Sequence, residues 1–392
     1  MKTIFRILIA VLILITLVIA GRWALAARQP AAAQARLIGL PVSDPGDFKR
    51  ADGSLALVFP RDHGPHPDYQ TEWWYYTGNL ESPDGRHFGY QLTFFRRSIL
   101  SPEDLPPRPG ASVSKWATSQ VYLAHFAISD IQEKKFQSYE RFARGAVDLA
   151  GAQGQPSYQV WLEDWQVREI HPNTYQLQAG QDGWVLDLTL IDAKGPILQG
   201  DRGYSLKGPN PGNASYYTSQ TRLETSGTVT FQEIEYPVHG LSWMDHEFST
   251  SSLSAGRVGW DWFALQLDDG SELMIYNIRQ ADGTADPYSS GTLILADGTT
   301  RHLQQADFEI RSTGHWKSPH SGGEYPSGWR IQIPSAGIDL EIDPLLKDQE
   351  NNLSFVYWEG AVRIQGQGNG RPVWGVGYVE LTGYTGSMAG QF

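Results

Sequence analysis

Trp184-Val185-Leu186-Asp187-Leu188-Thr189-Leu190 places a large apolar residue at every second position. A period of two marks a β-strand with one face turned to a core. The same period runs through Phe88-Gly89-Tyr90-Gln91-Leu92-Thr93-Phe94, Phe263-Ala264-Leu265-Gln266-Leu267 and Ile338-Asp339-Leu340-Glu341-Ile342. Asp-Gly pairs at 52–53, 84–85, 182–183, 269–270, 282–283 and 297–298 separate several of these runs. Asp-Gly supplies the positive φ that tight hairpin turns require. The clearest predicted hairpin spans Trp262 to Ile278 and turns at Asp269-Gly270. Helical periodicity is scarce, and only Phe142 to Leu149 reads as a short helix. The expected fold class is all-β, built from antiparallel barrels or sandwiches.

One pattern occurs twice. Trp73-Trp74-Tyr75-Tyr76, then Leu80, Asp84-Gly85 and Tyr90-Gln91-Leu92, reads as strand, turn, strand. Trp260-Asp261-Trp262-Phe263, then Leu267, Asp269-Gly270 and Tyr276-Asn277-Ile278, repeats it. The echo predicts two β domains in tandem, meeting near residues 240–257. A length of 392 residues suits two medium domains.

Composition bounds the partners. The chain has 31 basic and 43 acidic residues, a formal charge of −12. An acidic surface argues against nucleic acid, which needs Lys/Arg patches to neutralise phosphate. Cysteine is absent, which excludes disulfides, thiolate metal sites and a cysteine nucleophile. With 14 Trp and 18 Tyr, the chain carries many rings that bury large areas and line apolar cavities.

At the N-terminus, Lys2 and Arg6 precede an apolar run from Ile7 to Gly21, followed by Ala24-Leu25-Ala26. This reads as a signal peptide over residues 1–26, with an uncleaved anchor as the competing reading. Either way the remainder is expected to be exported, periplasmic or held at the membrane facing the periplasm. Residues 27–54 read as a Pro/Ala-containing tether.

Three segments combine ionisable and aromatic residues. Asp62-His63-Gly64-Pro65-His66-Pro67-Asp68 leads into Glu72-Trp73-Trp74-Tyr75-Tyr76. Its histidines show no regular ligand spacing, so no metal is expected. Trp243-Met244-Asp245-His246-Glu247-Phe248 sets a histidine between carboxylates, a pattern suited to general acid–base work or to a buried polar network. Gly259-Trp260-Asp261-Trp262 puts two indoles on one strand face and a carboxylate on the other. No Gly-x-Ser-x-Gly elbow and no phosphate-binding glycine loop occurs, and no cofactor is called for.

His66 to Leu80, Leu198-Gln199-Gly200-Asp201-Arg202-Gly203-Tyr204-Ser205, Ser242 to Ser249, Gly259 to Trp262, Tyr357-Trp358-Glu359-Gly360 and Gly377 to Tyr384 stand in a fixed order. By these stretches the chain resembles the AttH-like and carotenoid 1,2-hydratase-like family. The resemblance implies two tandem lipocalin-like antiparallel β-barrel domains, at 55–245 and 250–385. It implies either addition of water to the terminal double bond of an acyclic carotenoid, or an exported protein working beside ABC transporter components. In the hydratases a His, an aromatic two residues on, a Tyr, and an acid two residues beyond it are implicated. His246 matches the first, Phe248 stands where the aromatic is usually Trp, and Tyr276 resembles the Tyr. Ile278 then occupies the place of the acid, leaving Asp245, Glu247 or Asp261 as substitutes.

Three functions follow. The first is a lipocalin-like protein that binds or transfers a hydrophobic lipid or terpenoid, with Trp73, Trp74, Tyr76, Trp243, Phe248, Trp260, Asp261 and Trp262 as its ligand-binding residues. The second is a hydratase acting on a polyene, with His246 and Asp245 moving protons and Tyr276 orienting the reactant. The third is a carbohydrate-binding module with solvent-facing indoles.

Overall fold

In a computed structural model, residues 48–101, 116–250 and 253–388 are described. The segment expected to be a signal peptide or anchor, 1–26, and most of the expected tether lie outside these residues.

The first sheet holds β1 (Thr71–Glu81), β2 (His87–Ser98), β3 (Gln120–Asp130), β4 (Lys135–Arg144), β5 (Ala150–Gln153), β6 (Gln159–Leu162) and β7 (Trp165–His171). It continues through β8 (Thr174–Gln181), β9 (Trp184–Asp192), β10 (Ile197–Leu198), β11 (Tyr204–Leu206), β12 (Ala214–Phe231) and β13 (Ile234–Ser249). The second sheet holds β14 (Arg257–Leu267), β15 (Glu272–Gln280), β16 (Ser290–Ile294), β17 (Thr300–Gln304) and β18 (Glu309–Ser312). After a small two-stranded sheet of β19 (His315–Lys317) and β20 (Glu324–Pro326), it resumes with β21 (Trp329–Ile333), β22 (Ile338–Pro344), β23 (Glu350–Asn352), β24 (Val356–Gly368) and β25 (Arg371–Leu381).

Both large sheets are antiparallel, and the all-β lipocalin-like expectation holds. The orders are β4-β3-β2-β1-β13-β12-β9-β8-β7-β6-β5 and β17-β16-β15-β14-β25-β24-β22-β21-β18. Each sheet thus opens with a strand that pairs with that sheet's last long strand: β1 with β13, and β14 with β25. The two sequence echoes, β1–β2 and β14–β15, occupy equivalent places. In the first sheet β5 and β6 pack against β2, β3 and β4, so the sheet is nearly a barrel.

Turn chemistry explains the hairpins. Asp182 and Gly183, at φ 49° and 87°, turn β8 into β9 as a pair of left-handed residues. The predicted Trp262–Ile278 hairpin is β14–β15. The short helix expected over Phe142 to Leu149 does not form. Phe142 sits inside β4, opposite Leu123 of β3, and Val147 and Asp148 adopt φ of 47° and 60°, which no right-handed helix accepts.

Strand faces report what covers them. In β9 the alternation is clean: Trp184, Leu186, Leu188 and Leu190 are buried in the first core, and Val185 and Ile191 are exposed. β1 is different, being buried on both faces over most of its length. Trp74 and Tyr76 enter the first core, and Tyr75 packs on the opposite side against the second sheet with Trp262 and Tyr378. The two sheets therefore meet across the outer face of β1, β2, β12 and β13. Polar bonds tie this seam: Asn79 Nδ2 donates to Gly377 O at 2.9 Å, and Gln266 Nε2 donates to Thr221 O at 2.8 Å and to Ser242 O at 2.9 Å. At Gly89 a Cβ would fall 2.7 Å from the Ala361 methyl, so glycine sets the closeness of approach there.

Candidate functional site

A cavity of about 160 Å³ lies in this seam. Strand alternation selects its walls. The first sheet contributes Trp73 and Tyr75 from β1, Gln91, Thr93 and Phe95 from β2, Ser215 and Tyr217 from β12, and Asp245, Glu247 and Ser249 from β13. The second sheet contributes Trp260 and Trp262 from β14, Tyr276 and Ile278 from β15, Tyr357 from β24 and Glu380 from β25.

The sequence-predicted residues divide between this cavity and other places. Asp245, Tyr276, Trp73, Trp260 and Trp262 line it. Trp243 stands behind Asp245 and donates its Nε1–H to Asp245 Oδ1 at 2.7 Å. Trp74 and Tyr76 are buried in the first core. His246 also points to that side of β13, stacked on Trp74 with ring centroids 5.0 Å apart. Phe248 stacks on His66, centroids 3.6 Å apart. Asp261 faces the other side of β14, paired with Arg279 and accepting from the Tyr384 hydroxyl at 3.0 Å.

Asp245 is fully buried and accepts three hydrogen bonds. Tyr217 donates to Oδ2 at 2.5 Å, and Ser219 and Trp243 donate to Oδ1 at 2.5 and 2.7 Å. Burial still pushes its carboxyl up to about 7, against the pull of those donors. Trp262 Nε1 donates in turn to the Tyr217 hydroxyl at 3.0 Å, so an indole of the second sheet braces an acid of the first.

Glu380 faces the same space. Trp260 Nε1 donates to its Oε1 at 2.8 Å, and burial, with the nearby Asp245 and Glu247 charges, pushes it up to about 8. Glu359 sits directly across from it, since β24 and β25 pair Glu359 with Glu380. Burial and the Glu380 carboxyl push Glu359 well above the carboxylate range. The Tyr75 and Tyr357 hydroxyls are near enough to oppose that shift, but neither Glu359 oxygen has a hydrogen bond of ordinary geometry. Two acids side by side in an apolar wall cannot both ionise cheaply.

Lys207 supplies the opposite charge. Its Nζ lies 3.3 Å from Glu247 Oε1 and 3.7 Å from the centre of the Tyr276 ring. Burial pulls its pKa down, but Glu247 outweighs this and raises it. Tyr276 donates its hydroxyl to Leu206 O at 3.2 Å and shares a 3.0 Å contact with Ser205 Oγ, which fixes its ring.

His246 belongs to a second polar cluster. Its Nε2 lies 2.7 Å from Glu72 Oε1, and His66 Nδ1 lies 2.9 Å from the same oxygen. Ligand atoms of His66, Glu72 and His246 all fall within 4.8 Å of one another, donor types that suit a divalent ion. Arg96 holds the other carboxylate oxygen, its Nε donating to Glu72 Oε2 at 2.8 Å. Burial alone would raise Glu72; the Arg96 charge and the imidazole bonds hold it well below the carboxylate range. A fixed cation on the shared carboxylate makes this cluster an internally neutralised network.

Sequence reasoning passed over Lys207, Tyr217, Glu359, Tyr357 and Glu380 as site residues. The available signal was an acid at an alternating position in a strand apolar on both faces, as in Val379-Glu380-Leu381. Tyr217 and Lys207 carried no local signal.

Comparison with known proteins agrees with this architecture. A crystal structure of an AttH from Nitrosomonas europaea is 34% identical, with a TM-score of 0.74, covering 86% of this chain and 100% of that one. Kievitone hydratase from Nectria haematococca is 14% identical with a TM-score of 0.64, covering 87% of this chain and 97% of that one, a likeness of fold. Comparison with curated proteins gives no match. The AttH-like family model matches residues 50–384, and the chain belongs to the AttH-like family.

Proposed function

We propose that the protein adds water to a carbon–carbon double bond of an apolar small molecule held in the cavity between the two sheets. One observation carries this reading: Glu380 and Asp245, raised to about 8 and about 7, face one aromatic-lined cavity. An unactivated alkene needs a neutral carboxylic acid as proton donor, and a buried acid that stays protonated near pH 7 is such a donor. Kievitone hydratase, by its name a hydratase, shares the fold.

The chemistry is assigned to this chain's own groups. Glu380, protonated at neutral pH, gives its proton to one alkene carbon. The cation formed on the other carbon lies among the rings of Trp73, Tyr75, Trp260 and Trp262, whose π-faces stabilise positive charge. Asp245, which titrates near neutrality, adds partial negative charge. Water then bonds to the cationic carbon and sheds one proton, so the net change is addition of H and OH. A cavity of about 160 Å³ encloses the reacting end of a polyene and not its whole length.

The test uses an acyclic carotene in detergent and a small phenol bearing a dimethylallyl side chain. The expected product is heavier by one water. Failure of both alkenes to react, over a range of pH, would count against the reading. A second reading, binding or transfer of a hydrophobic molecule, draws support from the same aromatic walls. Native mass spectrometry of freshly purified protein would then show an unaltered lipid or terpenoid, released by Trp262→Ala. Export and an ABC-type partner belong with either reading and rest on the N-terminal sequence and the family resemblance. The cavity indoles face inward, which disfavours a carbohydrate-stacking surface.

A further inference from the structure

His125 is fully buried on β3, on the face turned to the second sheet. Its two ring nitrogens have different partners. Nδ1 lies 2.8 Å from the hydroxyl of Tyr357, a cavity residue. Nε2 lies 3.1 Å from Oε2 of Glu140, whose side chain is 27% exposed. Two paired residues of the β3–β4 hairpin and one from β24 thus run in line from the cavity to the surface.

Aromatic rings flank this line. Phe95 and Phe355 pack on His125 with ring centroids 5.4 and 4.9 Å away, and the Tyr357 ring stacks on it at 5.7 Å. Ser354 N donates to Glu140 Oε2 at 3.2 Å, and Ser354 Oγ donates to the same oxygen, anchoring the outer end. Gln91 Nε2 donates to the Tyr357 oxygen at 3.2 Å. With that lone pair used, and with neither Glu359 oxygen hydrogen-bonded to it, the phenol proton has His125 Nδ1 at 2.8 Å as its bonded acceptor. Burial keeps His125 neutral, with a pKa below its ordinary value despite the Glu140 carboxylate. Burial raises Glu140, but its bonds to His125 and Ser354 win and keep it ionised. The carboxylate therefore claims the Nε2–H tautomer, leaving Nδ1 as the acceptor.

We propose that Tyr357, His125 and Glu140 form a proton relay between the cavity and the surface. The relay itself stands on this hydrogen-bond geometry; its catalytic use rests on the hydration reading. When water bonds to the cation, its surplus proton passes to the Tyr357 oxygen as the phenol proton passes to His125 Nδ1. The Nε2 proton passes to the Glu140 carboxylate and leaves to solvent. Run inward, the same path returns a proton to Glu380, next to Tyr357's strand neighbour Glu359. One proton enters for each proton that leaves, and no other reactant is needed.

The test needs no substrate. A pH jump followed by infrared absorption of the buried carboxylic C=O band, assigned with Glu380→Gln, measures how fast the cavity acids gain a proton. Tyr357→Phe and Glu140→Gln are each expected to slow this at least about tenfold with little change in melting temperature. Imidazole ¹⁵N spectra of the full chain, assigned with His125→Gln, are expected to show the Nε2–H tautomer. Unchanged protonation rates in both variants, or an Nδ1–H tautomer, would overturn the relay and leave the contact as a pin between the sheets. Neither outcome depends on turnover, so absence of hydration would remove the function without deciding the relay.

Discussion

Asp245 and His246 are neighbours in sequence and face opposite sides of β13: Asp245 lines the cavity between the sheets, and His246 turns toward Glu72, 2.7 Å from its Oε1. Alternation makes this unavoidable, since successive side chains of a strand point to opposite faces. The two residues therefore serve different ends. On the hydration reading Asp245 is the residue placed at the reactant, and His246 bonds across β1 and β13 inside the first sheet.

Substitution should separate them. Asp245→Asn is expected to keep the fold, because an amide oxygen still accepts from Tyr217, Ser219 or Trp243, while turnover falls about 10²-fold or more. His246→Ala is expected to cost about 2–4 kcal/mol of stability, through the lost stack on Trp74 and the lost bond to Glu72. Urea unfolding and steady-state kinetics on both variants check the contrast.

Arg96→Met should be the more damaging change. It leaves the buried Glu72 carboxylate without its guanidinium, and breaking a buried pair from one side costs about 3–5 kcal/mol. Adding Glu72→Gln to it is expected to recover part of the loss. A double mutant no more stable than Arg96→Met would contradict the neutralised-network account.

Stability should depend on pH in a particular direction. Asp245, Glu359 and Glu380 are raised in the native state, so between about pH 4 and 8 these three groups bind more protons in the folded protein than in the unfolded chain. Their contribution to stability is full below the ordinary carboxylate range and falls as pH rises, by up to about 1.4 kcal/mol per unit for each group, while the buried, lowered His63, His125 and His246 contribute in the opposite direction below about pH 6.5. Glu72 and Asp62 are depressed and act oppositely, losing their contribution only as the pH falls below about 4. Glu380→Gln is expected to flatten the melting-temperature curve between pH 5 and 8. An unchanged slope would mean that Glu380 ionises at its ordinary value.

Tyr217→Phe removes one of the three donors to Asp245. Fewer bonds to the ionised form raise the pKa further. The pH–rate profile is expected to shift its limb near neutrality upward, while Trp262, deprived of its acceptor, packs less firmly. A profile that stays in place would remove Asp245 from the reacting groups.

Much of the fold was legible in the sequence because its cause is local. The alternation of Trp184 to Leu190 and the turns at Asp182-Gly183 and Asp269-Gly270 depend on neighbours one to three residues away. Phe142 to Leu149 failed for the same reason in reverse, because pairing with Leu123 of β3 and the left-handed pair Val147-Asp148 outweighed a weak local pattern. The run Glu72-Trp73-Trp74-Tyr75-Tyr76 held more than its composition suggested. Aromatics at consecutive positions mean two buried faces, and the second face is where the cavity forms. What lay beyond sequence was assembly between strands and between sheets: Glu359 meets Glu380 only through the β24–β25 register, and His125 meets Tyr357 only because the sheets stack.

The most direct measurement is deuterium transfer to carbon. The dimethylallyl phenol is incubated in D₂O with wild-type protein and with Glu380→Gln, and the product is read by mass and NMR. The account predicts one added water and one carbon-bound deuterium, with the rate about 10²–10⁴-fold lower in Glu380→Gln at similar affinity. Equal rates in the two proteins, or a product carrying no carbon-bound deuterium, would contradict it.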